Sequence, residues 1–376
     1  MAFERYITKG GKKYRLGYTT GTAAAGAAKA AALMLFEQKP LSQVSIDTPY
    51  GIEVEMDIHA AEYSRDQAQA AVVKDAGDDP DVTDGLKIYV QLKKESYDQE
   101  LGQSIINIEA GQGVGIVTKK GLQLPVGSAA VNPIPRQMIK KAVREVFPKN
   151  NSFRLIISVP GGKEAAEKTF NPRLGIKGGI SILGSSGIVE PMSESAYKES
   201  LAVELKQSAA LGEKKLYFVF GNNGKNRLLE LGIREEQIIR MSNFVGYMLE
   251  QSSELDLEEI IIFGHIGKIV KVAGGIFNTH SKKADGRKEI IAAHAALLGA
   301  EQKIIEDIFA QNTAEETAAY LLAKKLDDVL KSIVEAVALR AAEKSSQKIK
   351  INAVIFTFKD GIVAVSAGAE EEFELE

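Results

Sequence analysis

The chain contains no cysteine, and this absence removes several kinds of chemistry. Disulfide bonds, thiolate metal sites, iron–sulfur ligation and a cysteine nucleophile all need the missing thiol. Histidine is scarce as well, with 4 residues among 376. The sequence also lacks a Ser-His-Asp spacing, a Walker phosphate loop and an HExxH metal motif. Enzyme classes that depend on those signatures are therefore disfavoured.

Long apolar runs are also missing. The first residues, MAFERYITKGGKKYRLGYTTGT, hold no apolar run of signal-peptide length, and no later segment approaches the roughly 18 apolar residues of a membrane span. The 47 basic and 50 acidic residues leave a net charge of -3, without the basic excess that favours nucleic-acid binding. We expect a cytoplasmic protein that binds neither nucleic acid nor membranes.

Apolar residues are abundant enough for a large core. Hydrophobic residues make up 45% and charged residues 26% of the chain, so it can bury roughly three quarters of its unfolded surface. A length of 376 residues suggests roughly two domains. We place their boundary at the polar PKNNS stretch, which predicts one domain over residues 1–150 and a second over residues 151–376.

The first half combines helices with many short β-type runs. TTGTAAAGAAKAAALMLF, residues 19–36, predicts a buried helix of small residues with hydroxyl N-cap candidates. A second helix is predicted over residues 134–146, after paired prolines. Strands are predicted at residues 44–48, 52–58, 70–74, 86–92, 105–109 and 115–118. This half should be a strand-rich α+β domain.

In the second half, apolar strands end in polar or glycine-rich loops and alternate with helices. The strand-and-loop segments are RLIISVPGG, GISILGSSG, KLYFVFGNNG, QIIRMSN and EEIIIFGHIGK. This alternation predicts a mostly parallel sheet covered by helices. Late helices are predicted over residues 284–298, 302–310 and 314–345, the last opened by a capping-box pattern from Thr313 to Glu316, and a hairpin follows around Asp360 and Gly361. The fold class is therefore α/β, with an α+β first domain and an α/β second domain.

Three loops that follow predicted strands are the best candidates for a ligand site. Ligands of open α/β sheets bind outside the carboxyl ends of the strands, so the loops at residues 184–187, 221–224 and 264–268 could border one cleft. The alternative is that each glycine only permits a tight turn. The residues we assign to a cofactor are Gly184, Ser185, Gly187, Gly221, Asn222, Gly224, Gly264 and Gly267.

Two other loops are weaker candidates. EAGQGVG, residues 109–115, has the shape of a nucleotide loop, but a β-type run follows it where a helix is required, which favours a glycine-rich hairpin. KDAGDDPDVTDG, residues 74–85, is rich in carboxylates without calcium-site spacing. It is either a turn bonded to itself or a loop that positions substrate, and we expect no protein metal site.

Several segments together resemble one family. GYTTGTAAAGAAKAA, VKDAGDDPDVTDG, AVNPIPRQMI, TFNPRLGIKGGISILGSSGIVEPMS, MSNFVGYML and GHIGKIVKVAGGIFNTHS occur in order over nearly the whole chain. They are similar to the cobalt-precorrin-5B C1-methyltransferase family of the CbiD type. The resemblance implies a methyl transfer from S-adenosylmethionine to C1 of a cobalt-containing tetrapyrrole, giving cobalt-precorrin-6A in anaerobic cobalamin biosynthesis. Ala23 stands where many relatives are expected to carry cysteine, but this transfer needs no thiol.

The implied reaction agrees with the lack of a conspicuous catalytic motif. A sulfonium methyl is already activated, so catalysis consists mainly of placing the nucleophilic carbon beside it. The substrate's carboxylates need helix N-termini, Arg and Lys, and its cobalt arrives bound. We assign substrate binding to Thr19, Thr20, Thr22, Arg136, Arg173, Lys268, Asn278, Thr279 and His280.

His265, which follows the strand EEIIIFG, is the catalytic candidate. It would act as a proton acceptor or hydrogen-bond partner of the macrocycle, and the alternative is a loop residue bonded to its own backbone. A homodimer is the default expectation for the oligomeric state. Two other functions stay open: a nicotinamide-dependent oxidoreductase, and a non-catalytic tetrapyrrole or nucleotide carrier.

Overall fold

The chain forms two compact units, Met1–Glu194 and Ser195–Glu376. The computed structural model describes residues 3–96, 105–148, 151–172, 174–346 and 348–373. The boundary expected at residue 150 lies inside the first unit, because the strand Ser152–Ser158 pairs on both sides within that unit's main sheet. Among the described helices, none combines the length and the apolar character needed to cross a membrane.

The first unit is rich in strands, as predicted. Its strands are β1 (Tyr6–Lys9), β2 (Lys12–Arg15), β3 (Gly17–Tyr18), β4 (Gln43–Asp47), β5 (Glu53–Tyr63), β6 (Gln67–Val73), β7 (Lys87–Glu95), β8 (Ile106–Ala110), β9 (Gly113–Val114), β10 (Ile116–Val117), β11 (Ser152–Ser158), β12 (Ile176–Lys177), β13 (Gly179–Ile180) and β14 (Ile188–Val189). Its helices include α1 (Thr20–Glu37), α2 (Pro133–Val146) and α3 (Gly162–Ala166). The main sheet has the order β4-β5-β6-β7-β11-β8, with β11 and β8 parallel and the other neighbours antiparallel.

Helix α1 is the buried small-residue helix that the sequence predicts. It packs against α2 and against β6 and β7 of the main sheet. Its alanines, such as Ala27 and Ala31, are fully buried, and a Cβ at Gly26 would lie 2.8 Å from the sulfur of Met56. Small side chains therefore let the helix backbone lie close to the sheet.

The second unit has a mostly parallel sheet with a closing hairpin, which confirms the predicted fold class. Its strands are β15 (Lys215–Val219), β16 (Ile238–Arg240), β17 (Glu259–His265), β18 (Lys350–Thr357) and β19 (Gly361–Val365). Its helices are α4 (Glu194–Ala210), α5 (Asn222–Glu230), α6 (Val245–Ser252), α7 (Ile266–Ala273), α8 (Arg287–Leu297), α9 (Gln302–Ala310), α10 (Ala314–Ala323) and α11 (Asp327–Lys344), with a 3-10 turn at Glu235–Gln237. The order is β16-β15-β17-β18-β19, and only the β18–β19 pair among these is antiparallel.

Three local predictions differ from the structure. RLIISV and GISIL were expected in the second sheet, but they form β11 and β13 of the first unit. The single helix predicted over residues 314–345 is divided into α10 and α11 at Lys325, whose φ of 59° is left-handed. The glycine pattern at residues 109–115 is not followed by a helix, but it is not a hairpin either: β9 pairs with β13, and β10 pairs with β12.

The strand order of the second unit determines where a ligand can bind. After β15 the chain adds β16 on one side of it and then returns to add β17 on the other side. The connections that leave the carboxyl ends of β15 and β17 therefore diverge. Such a topological switch point opens a crevice in doubly wound α/β sheets.

Candidate functional site

A cavity of ≈ 240 Å³ lies at this switch point, wholly within the second unit. Its lining comes from the carboxyl-end residues of β17 and β18, from the segments that follow β15 and β18, and from the first turn of α7: Phe220, Gly221, Asn222, Asn223, Gly224, Phe263, Gly264, His265, Lys268, Phe356 and Phe358. Two of the three predicted glycine loops thus meet at one place. The rule for the carboxyl ends of parallel strands explains why they do.

The glycines of this cavity have different roles. Gly221 precedes α5 in extended backbone with a φ of 179°, and a Cβ there would have no heavy atom within 4 Å. Within the described part of the chain, no side-chain cap is found at this end of α5, so its first amides are open to a ligand. Gly264 is needed for packing, because a Cβ there would lie 2.4 Å from Cε2 of Phe220.

Both ring nitrogens of His265 are used inside the protein. Nδ1 accepts the backbone N–H of Gly267 at 3.2 Å and so caps α7. Since Nδ1 accepts this hydrogen bond, the neutral ring carries its proton on Nε2, which lies 2.5 Å from Oε2 of Glu315. This pattern matches the alternative of a backbone-bonded loop residue, and it leaves neither nitrogen of the neutral ring to take a proton from substrate.

Glu315, in the first turn of α10, joins two parts of the cavity wall. Its Oε1 accepts the backbone N–H groups of Phe358 at 2.8 Å and of Lys359 at 3.2 Å. Burial alone would raise the pKa of Glu315, but the hydrogen bonds from His265 and Phe358 outweigh it and hold that pKa below its ordinary value. The carboxylate is therefore kept charged.

Aromatic rings form much of the cavity surface. The ring of Phe358 stacks on His265 with 4.4 Å between centroids and 23° between planes. Nζ of Lys268 lies 5.9 Å from the centroid of Phe220, and burial together with the charge of Lys271 lowers the pKa of Lys268. The wall thus offers flat apolar surface beside one cation and an open helix start. A ligand with a planar ring and a carboxylate suits this combination.

The third predicted loop lies in the first unit, where it covers the start of α1. The carbonyl of Gly187 accepts the backbone N–H of Thr19 at 3.0 Å and the hydroxyl of Thr22 at 2.6 Å. A Cβ at Gly184 would lie 2.2 Å from Oγ1 of Thr19. The prediction that Gly184, Ser185 and Gly187 border the same sheet edge as the other loops is therefore wrong, and their close packing on α1 explains the glycines.

The threonines predicted to anchor substrate are buried at this helix start. Oγ1 of Thr19 accepts the N–H of Thr22 at 3.2 Å, and Oγ1 of Thr20 accepts the N–H of Leu183 at 2.9 Å. All three residues are buried, with exposed fractions of 6% for Thr19, 3% for Thr20 and 0% for Thr22. Each hydroxyl therefore has a partner within the first unit.

Of the two arginines assigned to substrate, the structure describes Arg136 but not Arg173. Arg136 donates from Nε to the carbonyl of Val131 at 2.7 Å and from Nη2 to that of Ala129 at 3.0 Å, so it holds its own preceding loop. Burial lowers the pKa of Arg136. Arg173 lies outside the described residues, and its assignment to substrate stays a prediction.

Asn278, Thr279 and His280 do not line the cavity. The N–H of Thr279 donates to the carbonyl of Asn243 at 3.0 Å, and the buried Lys271 donates to the carbonyl of Thr279 at 3.2 Å. Oδ1 of Asn278 accepts the N–H of His280 at 3.2 Å. This segment is a loop fixed by hydrogen bonds within itself and to Asn243 and Lys271.

The helix start expected near that loop is already covered by an acidic side chain. Helix α8 begins at Arg287, and Oδ1 of Asp285 accepts the N–H groups of Gly286 at 2.9 Å and of Arg287 at 3.4 Å. Hydrogen bonds from Arg287 hold the pKa of Asp285 well below its ordinary range. A substrate carboxylate would therefore meet a negative charge at this place.

The Asp-rich loop is largely bonded to itself and to its neighbours. Asp75 forms a two-point ion pair with Arg15, and Asp81 accepts the N–H and hydroxyl of Thr83 at 2.8 Å and Nζ of Lys74 at 3.1 Å. A second cavity of ≈ 390 Å³ beside it is lined by acidic side chains among others. Within the described part of the chain, no group of three His, Asp or Glu side chains is arranged to hold a metal ion.

Comparison with known families identifies the chain. The CbiD model matches residues 7–191, and the model of the CbiD C-terminal domain matches residues 278–367. The chain belongs to the CbiD family. A protein from Alkaliphilus metalliredigens (strain QYMF), named cobalt-precorrin-5B C(1)-methyltransferase, is 47% identical over 99% of this chain and 97% of its own length. A protein of the same name from Thermoanaerobacter sp. (strain X514) is 44% identical over 98% of this chain and 100% of its own length.

A solved CbiD structure is also similar. The crystal structure of the cobalamin biosynthesis protein CbiD from Archaeoglobus fulgidus is 26% identical, covers 75% of this chain and 87% of its own, and aligns with a TM-score of 0.39.

Sequence reasoning missed the four phenylalanines of the cavity lining, Phe220, Phe263, Phe356 and Phe358, and also Glu315 beside it. Phe220, Phe356 and Phe358 lie at or after strand ends, in KLYFVFGNNG and in AVIFTFKD, so a search for rings beside carboxyl-edge loops would have found them. Glu315 had no such signal. Its partners Phe358 and Lys359 are more than forty residues away in sequence, at separations of 43 and 44.

Proposed function

We propose that this CbiD protein transfers a methyl group from S-adenosylmethionine to C1 of cobalt-precorrin-5B, giving cobalt-precorrin-6A. The relatives' names support the reaction, since those proteins are 43–47% identical over 83–99% of this chain. S-adenosylmethionine is the expected donor because a sulfonium methyl can be transferred to carbon without a covalent enzyme intermediate. We further expect the protein to act in the cytoplasm on a tetrapyrrole that brings its own cobalt.

One observation supports the place of the cofactor: the cavity lies at the switch point between β15 and β17. The exposed ring of Phe358 and the His265 ring stacked on it would pack on the adenine, and Lys268 with the open amides of α5 would receive the methionyl carboxylate. The cavity's volume of ≈ 240 Å³ is below the roughly 300–1,000 Å³ of typical ligand pockets. The cavity would therefore hold part of the cofactor, with the rest extending over the open edge of the sheet.

The chemical step asks little of the protein beyond placement. The ring carbon donates an electron pair to the methyl carbon, the carbon–sulfur bond breaks, and S-adenosylhomocysteine leaves with that bonding pair. Correct positioning of two reactants can supply roughly 7–11 kcal/mol of the barrier reduction. We therefore assign no proton-transfer role to His265 and place it in the cofactor wall.

The test combines turnover with binding. The full-length chain is incubated with cobalt-precorrin-5B and S-adenosylmethionine carrying a labelled methyl group, and mass spectrometry follows the label. Labelled cobalt-precorrin-6A supports the proposal. Nicotinamide-dependent oxidation would point to an oxidoreductase, and tetrapyrrole binding without methyl transfer would point to a carrier.

The cavity assignment is tested with Gly221→Val, which adds an isopropyl group at the cavity, where a Cβ has no heavy atom within 4 Å. We expect S-adenosylmethionine affinity to fall at least about tenfold, because the added volume occupies the ligand's space. Gly286→Val is the control, since Gly286 also precedes a helix, lies outside the cavity lining, and a Cβ there would make ordinary contacts at 3.5 Å to Ile276 and 3.8 Å to Ile290. Equal cofactor affinity in both folded variants would remove the cavity from consideration.

A further inference from the structure

Glu315 lies outside the cavity lining, but it holds two members of the wall. Oε2 bonds to Nε2 of His265 at 2.5 Å, and Oε1 accepts the N–H of Phe358 at 2.8 Å. His265 ends β17, and Phe358 follows β18, which pairs with β17. One carboxylate thus joins the ends of two neighbouring strands where they border the cavity.

Glu315 is not required to cap its own helix. That role belongs to the next residue, Glu316, whose carboxylate accepts the N–H groups of Asn312 at 2.9 Å and Thr313 at 3.3 Å in a capping box. The side chain of Glu315 is instead directed to the ends of β17 and β18 and is 26% exposed. Two adjacent glutamates in one helical turn therefore have separate partners.

The ring that Glu315 helps to hold is exposed. Phe358 is 60% exposed. When a ligand orders an exposed ring on a loop, the lost conformational entropy ordinarily weakens binding. Here the backbone of Phe358 is bonded to Glu315, and its ring is stacked on His265. A surface that is fixed before binding loses less entropy when the ligand arrives.

We infer that Glu315 is a positioning residue for the cofactor: it fixes His265 and Phe358 so that their rings form a preorganised wall for the adenine. This inference rests on the proposed function, because it takes S-adenosylmethionine to be the occupant of the cavity. Glu315 touches neither the cofactor nor the reacting atoms, and it acts through Phe358.

Replacement by glutamine is sufficient to disturb this arrangement. In Glu315→Gln the amide oxygen can still accept the N–H of Phe358, but its NH₂ group then faces Nε2 of His265 as a donor. His265 must move its proton to Nδ1 to accept that bond, and Nδ1 then faces the N–H of Gly267. Either the bond to residue 315 or the cap of α7 is lost.

The first measurement is S-adenosylmethionine affinity by calorimetry on the full-length chain. Loss of one charge-assisted bond should weaken the affinity of Glu315→Gln about tenfold. The KM for S-adenosylmethionine should rise with it, while kcat at saturating cofactor and the KM for cobalt-precorrin-5B stay near the parent values. Glu316→Gln is the matched control, which should lower the melting temperature without changing cofactor affinity.

A double-variant cycle tests whether Glu315 acts through Phe358. Phe358→Ala removes an exposed ring and should weaken cofactor binding without unfolding the protein. Adding Glu315→Gln to it should cause little further loss, since residues that act through one contact are not additive. Additive losses would overturn the inference. If Glu315→Gln does not fold, unchanged affinity in Phe358→Ala would overturn it.

Failure of the inference differs from failure of the proposed function. If the parent chain binds no S-adenosylmethionine, both are overturned. If the parent binds it and the folded Glu315→Gln binds it equally well, only the positioning role is overturned.

Discussion

At the scale of the residue, His265 shows how hydrogen-bond partners decide chemistry. Its place after an apolar strand suggested a group able to exchange protons. In the structure, Nδ1 caps α7 through Gly267 and Nε2 faces Glu315, so the ring already has two partners. A proton acceptor needs a free lone pair within reach of substrate. The structure therefore favours a role in the cavity wall.

Asp75 allows a residue-scale prediction about pH. Burial alone would raise its pKa, but hydrogen bonds from Arg15 and the N–H of Gly77 outweigh burial and lower that pKa below its ordinary value. A carboxyl with a lowered folded-state pKa stabilises the fold above its unfolded pKa of about 3.9, and this contribution is lost as pH falls through the folded-state value.

Asp75→Asn should accordingly lower the free energy of unfolding by about 1–2 kcal/mol at neutral pH, allowing for partial solvent screening. The difference from the parent should shrink as pH falls from about 5 towards 3. Urea unfolding at several pH values measures it, with the exposed Asp47→Asn as control. A difference that does not change with pH would contradict the ion-pair explanation.

At the scale of the element, the start of α1 depends on one loop packed over it. The hydroxyl of the fully buried Thr22 donates to the carbonyl of Gly187 at 2.6 Å, which ties the helix to residues far along the chain. The same helix start was predicted to hold substrate carboxylates. Packing of the loop uses the polar groups that such an anchor would need.

Thr22→Val keeps the shape of the side chain and removes its hydroxyl. We expect a loss of about 1–3 kcal/mol in unfolding free energy, because a buried hydrogen bond is removed and a methyl group takes its place against a carbonyl. Thr22→Ser retains the hydroxyl and should lose less. Chemical denaturation of both variants measures the difference. An equal loss in Thr22→Ser would attribute the effect to packing of the methyl group.

At the scale of the whole molecule, the chain is divided into two units with separate cores. Two buried hydrophobic clusters draw only on residues up to 194, and two draw only on residues after it. The candidate cofactor cavity is formed entirely by the second unit. The second unit should therefore carry its fold and its cofactor affinity by itself.

A fragment of residues 195–376 tests this prediction. We expect it to fold with a cooperative thermal transition and to bind S-adenosylmethionine with an affinity close to that of the full chain. Circular dichroism and calorimetry provide the two measurements, and the same fragment with Gly221→Val is the control. A folded fragment that binds no cofactor, when the full chain does, would show that the cavity is insufficient for binding.

Local patterns in the sequence were sufficient to predict much of the secondary structure and the kind of sheet in the second unit. The small-residue pattern and threonine cap predicted α1, the Thr313–Glu316 pattern predicted the capping box of α10, and alternating strands and helices predicted the parallel sheet with its hairpin. These signals are local, because caps, turns and apolar periodicity act over a few residues. The meeting of two of the three glycine loops was also predictable from sequence, since the carboxyl ends of parallel strands lie at the same edge of a sheet.

Local patterns did not predict which distant segments meet, because those contacts depend on how the whole chain packs. The apolar run of β11 could enter either sheet on its pattern alone, and pairing with β7 and β8 placed it in the first unit. The loop at residues 184–187 fits α1 because small residues there admit the threonines, which its local sequence does not reveal. Glu315, in the first turn of α10, meets Phe358 just after the end of β18, 43 residues away in sequence. Such partners are chosen by the packing of the whole unit, where many non-local contacts must be satisfied at once.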